Sequence, residues 1–456
     1  MKPLKIIDIA RAVGGELNNP AIAEDYISGV SFDTRSIKKG MLFVPLKGAR
    51  DGHEFLQTAI NAGAVCVFSE QPTDLCAIYV DDAKKAMGDL AHYYIGLFPE
   101  LKVIGITGSS GKTSTKDMVA AVLSQKYNVV KTIGNFNNDI GMPITIFDID
   151  ETTQVAVLEM GMNNRHEITR LSLIARPDIA IITNIGVAHI ENLGSREEIF
   201  NAKSELFDGL KSSGIAILHG DDDFLPRHRD RGDVIYYGVS PLSSYAPQNA
   251  ADNGLDGFSY DVMLKSGEKI SVCVPSPGYH MLTNSLAAVA CGEHLGLTPA
   301  QIVAGIAAYK PTGMRMDIRR AVCGARIIAD CYNANPDSMK AALEVLSAEN
   351  DTTIAILGDM RELGENSKAM HYEIGKAAVR LGIDIIVCIG EDAKHIYEGA
   401  RYENRLGDTA SQILHCGNKE EFFAMTNNLI AGGTTVLVKA SRGMRFEEIV
   451  EHLEKI

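Results

Sequence analysis

The sequence predicts an α/β protein in three domains: a small N-terminal α/β domain, a central domain with a P-loop-type, mostly parallel sheet, and a C-terminal domain with a Rossmann-like, doubly wound sheet. Three observations carry that reading. At 456 residues the chain exceeds what one compact core accommodates and matches about three domains. Short apolar runs at 155–158, 179–182, 215–218, 354–357 and 385–388 alternate with helical patterns, and strands apolar throughout are buried on both faces, as in a parallel sheet between helices. The run 103–106 passes directly into Thr107-Gly108-Ser109-Ser110-Gly111-Lys112-Thr113. From Ser114 onward Met118, Val119, Val122 and Leu123 fall at helical spacing, so strand, glycine-rich loop and helix follow one another.

In chain order, residues 1–82 alternate strand-like runs at 41–46 and 64–68 with a helical pattern at 54–62. Residues 83–312 open with a helix at 84–97 and then carry the loop and the strands at 155–158, 179–182 and 215–218. The polar stretch 240–257 reads as a loop, and the alternating runs 258–264 and 269–274 read as a hairpin turning at Ser266-Gly267. Residues 311–313 mark the next boundary, after which strands at 327–329, 354–357, 385–388 and 436–438 alternate with helices over 313–456.

With 46% hydrophobic and 22% charged residues the composition is that of a soluble globular protein. A formal charge of −14 argues against a nucleic-acid or anionic-membrane surface, since both need a basic footprint. Eight cysteines without a CxxC pair suggest reduced thiols rather than a zinc site or a disulfide framework. No apolar run reaches membrane-spanning length and residues 1–5 lead into no apolar signal region, so a cytoplasmic protein is expected, without membrane insertion. No self-association signal is legible, and a monomer is expected.

The loop implies nucleotide chemistry. Glycines let backbone N–H groups face phosphate oxygens, Lys112 neutralises β/γ charge, and the Thr113 hydroxyl can ligate Mg²⁺. The strict Walker spacing needs glycine at position 106, where Ile106 stands; Gly105 and Gly108 flank it. Several strands end in polar residues (Glu159, Thr183-Asn184, Asp330, Asp359), which belong at the crevice along the carboxyl ends of an open sheet. Glu159 either reaches Mg²⁺ or is satisfied by backbone N–H groups. His189 is either a ligand contact or structural. Ser195 and Glu198 have capping-box spacing, and in the helix they open Lys203 lies in an apolar stripe with Ile199, Leu206 and Leu210, flanked by Phe200 and Phe207. Desolvation there would favour a neutral amine; the alternative is a lysine that snorkels to water. Lys310, Arg315, Arg319 and Arg320 either meet phosphate across a cleft or form a solvated face. Asp337 or Ser338 is the expected N-cap of the helix after Asp330.

Together these elements resemble the Mur ligase family, ATP-dependent enzymes that extend the peptide of the bacterial cell-wall precursor. The resemblance spans all three blocks. The family's loop, Thr-Gly-x-x-Gly-Lys-Thr, stands at 107–113 and accounts for the missed Walker position. It implies ATP and Mg²⁺ as cofactors, Thr107, Gly108, Ser109, Ser110, Gly111, Lys112 and Thr113 as nucleotide contacts, Glu159 as the Mg²⁺ glutamate, and His189 with a carbamylated Lys203 at a second metal position. Gly278-Tyr279-His280-Met281-Leu282-Thr283-Asn284 resembles the adenine segment, with Asn284 the matching residue and Met281 where relatives often have asparagine. Arg315 matches an arginine that reaches phosphate and Asp330 the aspartate on the ribose. Three motifs resemble the branch that joins D-alanyl-D-alanine to UDP-N-acetylmuramoyl-tripeptide: Asn135-Phe136-Asn137-Asn138 with Gly141-Met142-Pro143, Tyr332-Asn333-Ala334-Asn335-Pro336, and the segment 357–364. They imply substrate contacts at Asn137, Asn138 and Asn335. Ser31-Phe32-Asp33-Thr34-Arg35 resembles the uridine-nucleotide segment, implying Ser31, Asp33, Thr34 and Arg35, and 439–443 the loop holding the amino substrate, implying Ser441 and Arg442. The implied roles are UDP-sugar binding for 1–82, ATP binding for 83–312 and dipeptide binding for 313–456. The implied reaction is phosphoryl transfer to the tripeptide carboxylate and attack of the dipeptide amine on the acyl phosphate, with Lys112, Lys203, His189 and Arg315 catalytic. Another Mur-type amino-acid ligase, a P-loop kinase or nucleotide switch, and a silent assembly protein are the competing expectations.

Overall fold

The computed structural model describes residues 1–407 and 410–456. By contact density they fall into two compact units, residues 1–107 with 126–181 and 204–215, and residues 108–125 with 182–203 and 216–456.

In the first unit, Gly29–Ser31, Met41–Phe43, Ala64–Ser69 and Ala77–Tyr79 form a parallel sheet, edged by the antiparallel strand Glu16–Leu17. The helix expected at 54–62 is Leu56–Ala62, entered through the 3₁₀ turn Gly52–Phe55. Its Leu56 and Ala59 close a core with Ile37, Phe43 and Val67. The helix expected at 84–97 is Ala83–Ile95; Asp82 accepts the Lys85 N–H at 2.8 Å as its N-cap, and Met87, Leu90, Ala91 and Tyr94 face inward at helical spacing. Four further strands of this unit lie side by side in the order β3 (Ile179–Ile182), β1 (Lys102–Thr107), β2 (Val155–Glu159) and Val129–Lys131. β2 is parallel to both of its neighbours, and Val155 to Leu158 lose all their surface, as continuous apolar runs require.

In the second unit, the loop after β1 opens the helix α1 (Lys112–Leu123), and α2 (Arg196–Ser204) begins where Ser195 Oγ accepts the Glu198 N–H at 3.2 Å. α2 gives way to the 3₁₀ turn Glu205–Asp208, so the expected apolar stripe changes pitch after Lys203. The hairpin of Phe258–Met263 and Lys269–Val274 forms as expected, with Gly267 at φ 84° in its turn. The stretch read as a loop is partly a third strand, Pro247–Asp252, antiparallel to Phe258–Met263. Nearly all its side chains face solvent, so it carries no apolar alternation to betray it. α3 (Tyr279–His294) packs against α1.

The C-terminal sheet is six-stranded, in the order Asp317–Arg320, β4 (Arg326–Ala329), β6 (Thr434–Lys439), β5 (Thr352–Gly358), Ile385–Ile389 and Gln412–Cys416. All pairings are parallel except the Asp317–Arg320 edge. Alternate residues feed two cores: Ile328, Ala355, Leu357 and Leu437 on one face, Ile327, Ile354, Ile356 and Val436 on the other. The helix after Asp330 is α4 (Pro336–Ser347), capped by Asn335 and not by Asp337 or Ser338. Pro336 sets this register, since its fixed φ and missing N–H suit the first helical position. All eight cysteines are free thiols, and no described helix is long and apolar enough to cross a membrane.

Candidate active site

The phosphate loop is shaped by two obligatory glycines. Gly108 adopts φ 154°, and a Cβ there would lie 1.8 Å from Thr183 Oγ1; Gly111 adopts φ 76° at the N-cap of α1, with the Asn284 amide 3.1 Å from where a Cβ would sit. Ile106 is still strand: its carbonyl accepts the Met160 N–H at 2.8 Å, so the loop starts too late for glycine at 106. Asn184 clamps the loop. Its Oδ1 accepts the N–H of Ser109 (3.1 Å) and Ser110 (2.9 Å), and its Nδ2 donates to Ser110 Oγ (2.7 Å). The Thr183 hydroxyl donates to the Ser110 carbonyl at 2.6 Å, and Ser109 Oγ accepts the Gly186 N–H at 2.9 Å. Lys112 Nζ folds back to the Gly108 carbonyl at 2.6 Å, and Thr113 is buried in the first turn of α1. The positive end of a 12-residue helix and an ammonium make an anion cradle. The polar ending of β3 pointed to Thr183 and Asn184 in the sequence, but not to this clamp.

Glu159 ends β2 with 2% of its surface exposed. Its Oε1 accepts Asn137 Nδ2 at 2.9 Å and its N–H donates to Thr132 Oγ1 at 2.9 Å. The neighbouring Asn138 is exposed and turns back on its own chain: its Oδ1 accepts the N–H groups of Ile140 (3.2 Å) and Gly141 (2.8 Å), ahead of the helix Gly141–Phe147. Among the described residues no three His, Cys, Asp or Glu side chains gather as a metal cage. Mg²⁺ does not require one, because it takes hard oxygens from one or two carboxylates and completes its shell with water and substrate phosphate. The Glu159 carboxylate in the first unit and the Thr113 hydroxyl in the second are each a hard oxygen of that kind.

Lys203 does not snorkel; it is 1% exposed. Burial first, and the charge of Lys112 second, push its pKa well below the ordinary lysine value, which favours the neutral amine. His189 sits at φ 64° with its Nδ1 2.7 Å from Glu362 Oε2, at ion-pair distance but off the line of a hydrogen bond. That contact lowers the Glu362 pKa, with the Lys112 charge adding to it.

At the C-terminal sheet, Asp330 follows β4 and accepts the fully buried Lys439 Nζ at 2.5 Å, while the Asn333 carbonyl takes a second Lys439 hydrogen bond at 3.1 Å. Burial pushes the His280 pKa down to about 4 against the opposing pull of Asp330. Asn335 Oδ1 accepts the Ser338 N–H at 2.8 Å. Ser441 is buried, its Oγ accepting the Arg361 N–H at 2.9 Å, and Arg442 Nη1 pairs with Glu447 at 3.0 Å. The Arg315 guanidinium lies 4.0 Å over the Tyr332 ring. Arg319 is committed to Asp317 (2.8 Å) and Glu454 (3.1 Å), and Lys310 and Arg320 stay on the surface, so of the four cations grouped in the sequence Arg315 alone stacks on the ring beside Asp330. In the first unit, Ser31 Oγ accepts the Asp33 N–H at 3.0 Å, Asp33 takes two bonds from the exposed Arg35 side chain, and that guanidinium lowers the Asp33 pKa to about 2; Thr34 lies between them.

A phosphate cradle, a neutral buried lysine and a Rossmann-like sheet with an arginine and an aspartate at its edge define a nucleotide-using ligase of the Mur type. Residues 106–292 match the Mur ligase middle domain and residues 314–442 the Mur ligase, glutamate ligase domain. The chain belongs to the Mur ligase family. Within it, the UDP-N-acetylmuramoyl-tripeptide–D-alanyl-D-alanine ligase of Bacillus subtilis (strain 168) is 38% identical over 98% of this chain and 97% of that protein. The crystal structure of MurF from Acinetobacter baumannii superposes with a TM-score of 0.92 at 30% identity, covering 100% of this chain and 99% of that one. MurF ligase from Thermotoga maritima in complex with ADP gives 0.82 at 28% identity, covering 93% and 97%.

Proposed function

We propose that this protein joins D-alanyl-D-alanine to the free carboxylate of UDP-N-acetylmuramoyl-tripeptide, using ATP, in the cytoplasmic synthesis of peptidoglycan precursor, and that it acts as a monomer. The observation that carries the reading is the burial of Lys203, 1% exposed and in the field of Lys112, because a simple kinase or nucleotide switch has no use for a desolvated amine there. The substrates are those for which the relatives are named.

On this reading residues 83–312 hold ATP, its phosphates on Thr107, Gly108, Ser109, Ser110, Gly111, Lys112 and Thr113, its adenine at Asn284 and its ribose at Asp330. Residues 1–82 hold the uridine nucleotide through Ser31, Asp33, Thr34 and Arg35. Residues 313–456 bring the dipeptide to Ser441 and Arg442, with Asn137, Asn138 and Asn335 at the peptide. A carboxylate oxygen of the tripeptide forms a bond to the γ-phosphorus as the bond to the β-phosphate oxygen breaks, and ADP leaves. The dipeptide amine then attacks the acyl carbon, phosphate departs, and the amine loses a proton. Several anions meet in this sequence, so Lys112 and Arg315 act by neutralising charge and fixing position. Mg²⁺, when bound, would supply further charge neutralisation, held by Thr113 and Glu159 at one position and by His189 and Lys203 at another. Lys203 serves there as a carbamate: its neutral nitrogen bonds to the carbon of CO₂, releases a proton and becomes an anionic ligand.

Phosphate release from ATP and UDP-N-acetylmuramoyl-tripeptide, measured with and without D-alanyl-D-alanine, tests the reading. Release that rises with the dipeptide and yields an amide product is expected. Equal release without dipeptide would favour a kinase or switch, and dependence on a single amino acid would favour another Mur-type ligase.

A further inference from the structure

Two cationic side chains from distant parts of the chain meet one aromatic ring. The Arg315 guanidinium carbon lies 4.0 Å from the Tyr332 ring centroid and that of Arg442 lies 5.8 Å from the same centroid. Arg315 has no other anchor: among the described residues no carboxylate pairs with it, so its charge is left for an anionic ligand. The backbone around it is unusual. Gly313, Met314 and Met316 all have φ near +50°, a region that methionine rarely enters and that surrounding contacts must enforce. Those contacts come from the strand end carrying Tyr332: the Tyr332 N–H donates to the Met314 carbonyl at 3.3 Å, and Asp330 Oδ1 accepts the Met316 N–H at 3.3 Å. Arg442 is steered from behind by Glu447, and its loop is pinned where the Ser441 N–H donates to the Asp359 carbonyl at 3.0 Å.

We propose that Tyr332 is a positioning residue: its ring seats Arg315 toward the transferring phosphate and Arg442 toward the carboxylate of the incoming dipeptide, so that one side chain aligns both anion-reading arginines. The identity of the two anions rests on the ligase reading above. A cation over a tyrosine face is held by the ring quadrupole, which survives loss of the hydroxyl and fails when the ring is removed or fluorinated.

The full-length Tyr332→Phe and Tyr332→Leu variants are assayed for kcat, for KM of ATP and of D-alanyl-D-alanine, and for binding of a non-hydrolysable ATP analogue by calorimetry, with melting temperature as a control. The phenylalanine variant is expected within about twofold of wild type. The leucine variant is expected to raise KM for the dipeptide and to lower kcat, each by about tenfold, the size of a partly desolvated cation–π contact. In an Arg315→Ala background Tyr332→Leu should cost no further kcat. If the leucine variant loses its native melting transition, substitution of position 332 by phenylalanine carrying increasing numbers of fluorines tests the same contact at nearly constant shape, and a graded loss is expected. Full activity of Tyr332→Leu or of the fluorinated series, or equal damage from Tyr332→Phe, overturns the proposal. Wild-type phosphate release that ignores the dipeptide would instead sink the ligase reading, while the calorimetric arm would still report on Arg315.

Discussion

Lys203 carries a group that water would solvate into a place without water, and the conflict is resolved by loss of its proton. An ammonium so buried costs several kcal/mol unless it is paired, and here the nearest named charge is another cation, Lys112. The sequence left two outcomes open, a functional amine or a snorkelling side chain, because its apolar stripe was visible but the path to solvent was not. In the structure α2 ends at Ser204, directly after Lys203, and Lys203 is 1% exposed. A neutral amine is the nucleophile that CO₂ needs. Because the Lys203 pKa is lowered from the ordinary lysine value of 10.5, its reactive form extends to lower pH than that of an ordinary lysine and is lost as pH falls through its own depressed value. Isotopic bicarbonate is therefore expected to label Lys203 near pH 7, read by chemical trapping and mass spectrometry. Lys203→Ala should lower ligation by about 10²-fold or more, as loss of a charge-stabilising group does. No label, together with near-normal turnover of the alanine variant, would remove the carbamate from the mechanism.

At the scale of elements, the buried strands were legible because each is an unbroken apolar run, and the division of β4, β5 and β6 residues between two cores is the physical cause of that pattern. What escaped was short or solvated. Glu16–Leu17 and Asp317–Arg320 are sheet edges, and Pro247–Asp252 is an exposed one, so none needs apolar residues throughout. Asn335 escaped as a cap because the first polar residues inside the helix drew the eye past Pro336. The strand, the glycine-rich turn and the helix around 107–113 were legible as a local pattern, while the clamp that supports the turn was not. Asn184 lies 74 and 75 residues from the amides it holds, a separation that no local pattern reports. Asn184→Ala leaves the Ser109 and Ser110 N–H groups without their side-chain acceptor, a cost of about 1–3 kcal/mol for a part-buried donor. The expected result is a correspondingly weaker ATP affinity by calorimetry, about tenfold, with KM for the dipeptide little changed. Unaltered ATP binding would mean that the loop holds its shape without the clamp.

At the scale of the molecule, the proposed reaction needs groups from the phosphate loop and from the C-terminal sheet at one phosphate, and within the second unit specific contacts join these two regions. His189 Nδ1 meets Glu362 at 2.7 Å, both residues having positive φ, and Gly364 packs on Glu191. Gly186 lies so close to Asp337 at the start of α4 that a Cβ would come within 2.2 Å of its Oδ2 and 3.2 Å of Ser109 Cβ. The sequence marked His189 and the segment 357–364 separately; their meeting is a product of tertiary folding, which is why it could not be read from either. Gly186 was not singled out, since a glycine in a loop has many bland reasons to be there. Its φ is not in the left-handed region, so space rather than backbone conformation requires it. Gly186→Ala is therefore expected to push α4 and the Asp330 strand end away from the cradle, lowering kcat for dipeptide-dependent phosphate release by about tenfold, the size of a displacement that spoils alignment without unfolding. The clash is with a carboxylate, which makes the prediction reversible: Gly186→Ala combined with Asp337→Ala removes the blocking oxygen and should recover most of the lost rate, leaving only the ordinary squeeze against Ser109. A double variant as slow as Gly186→Ala alone would show that the glycine serves the loop and not the approach of the C-terminal sheet.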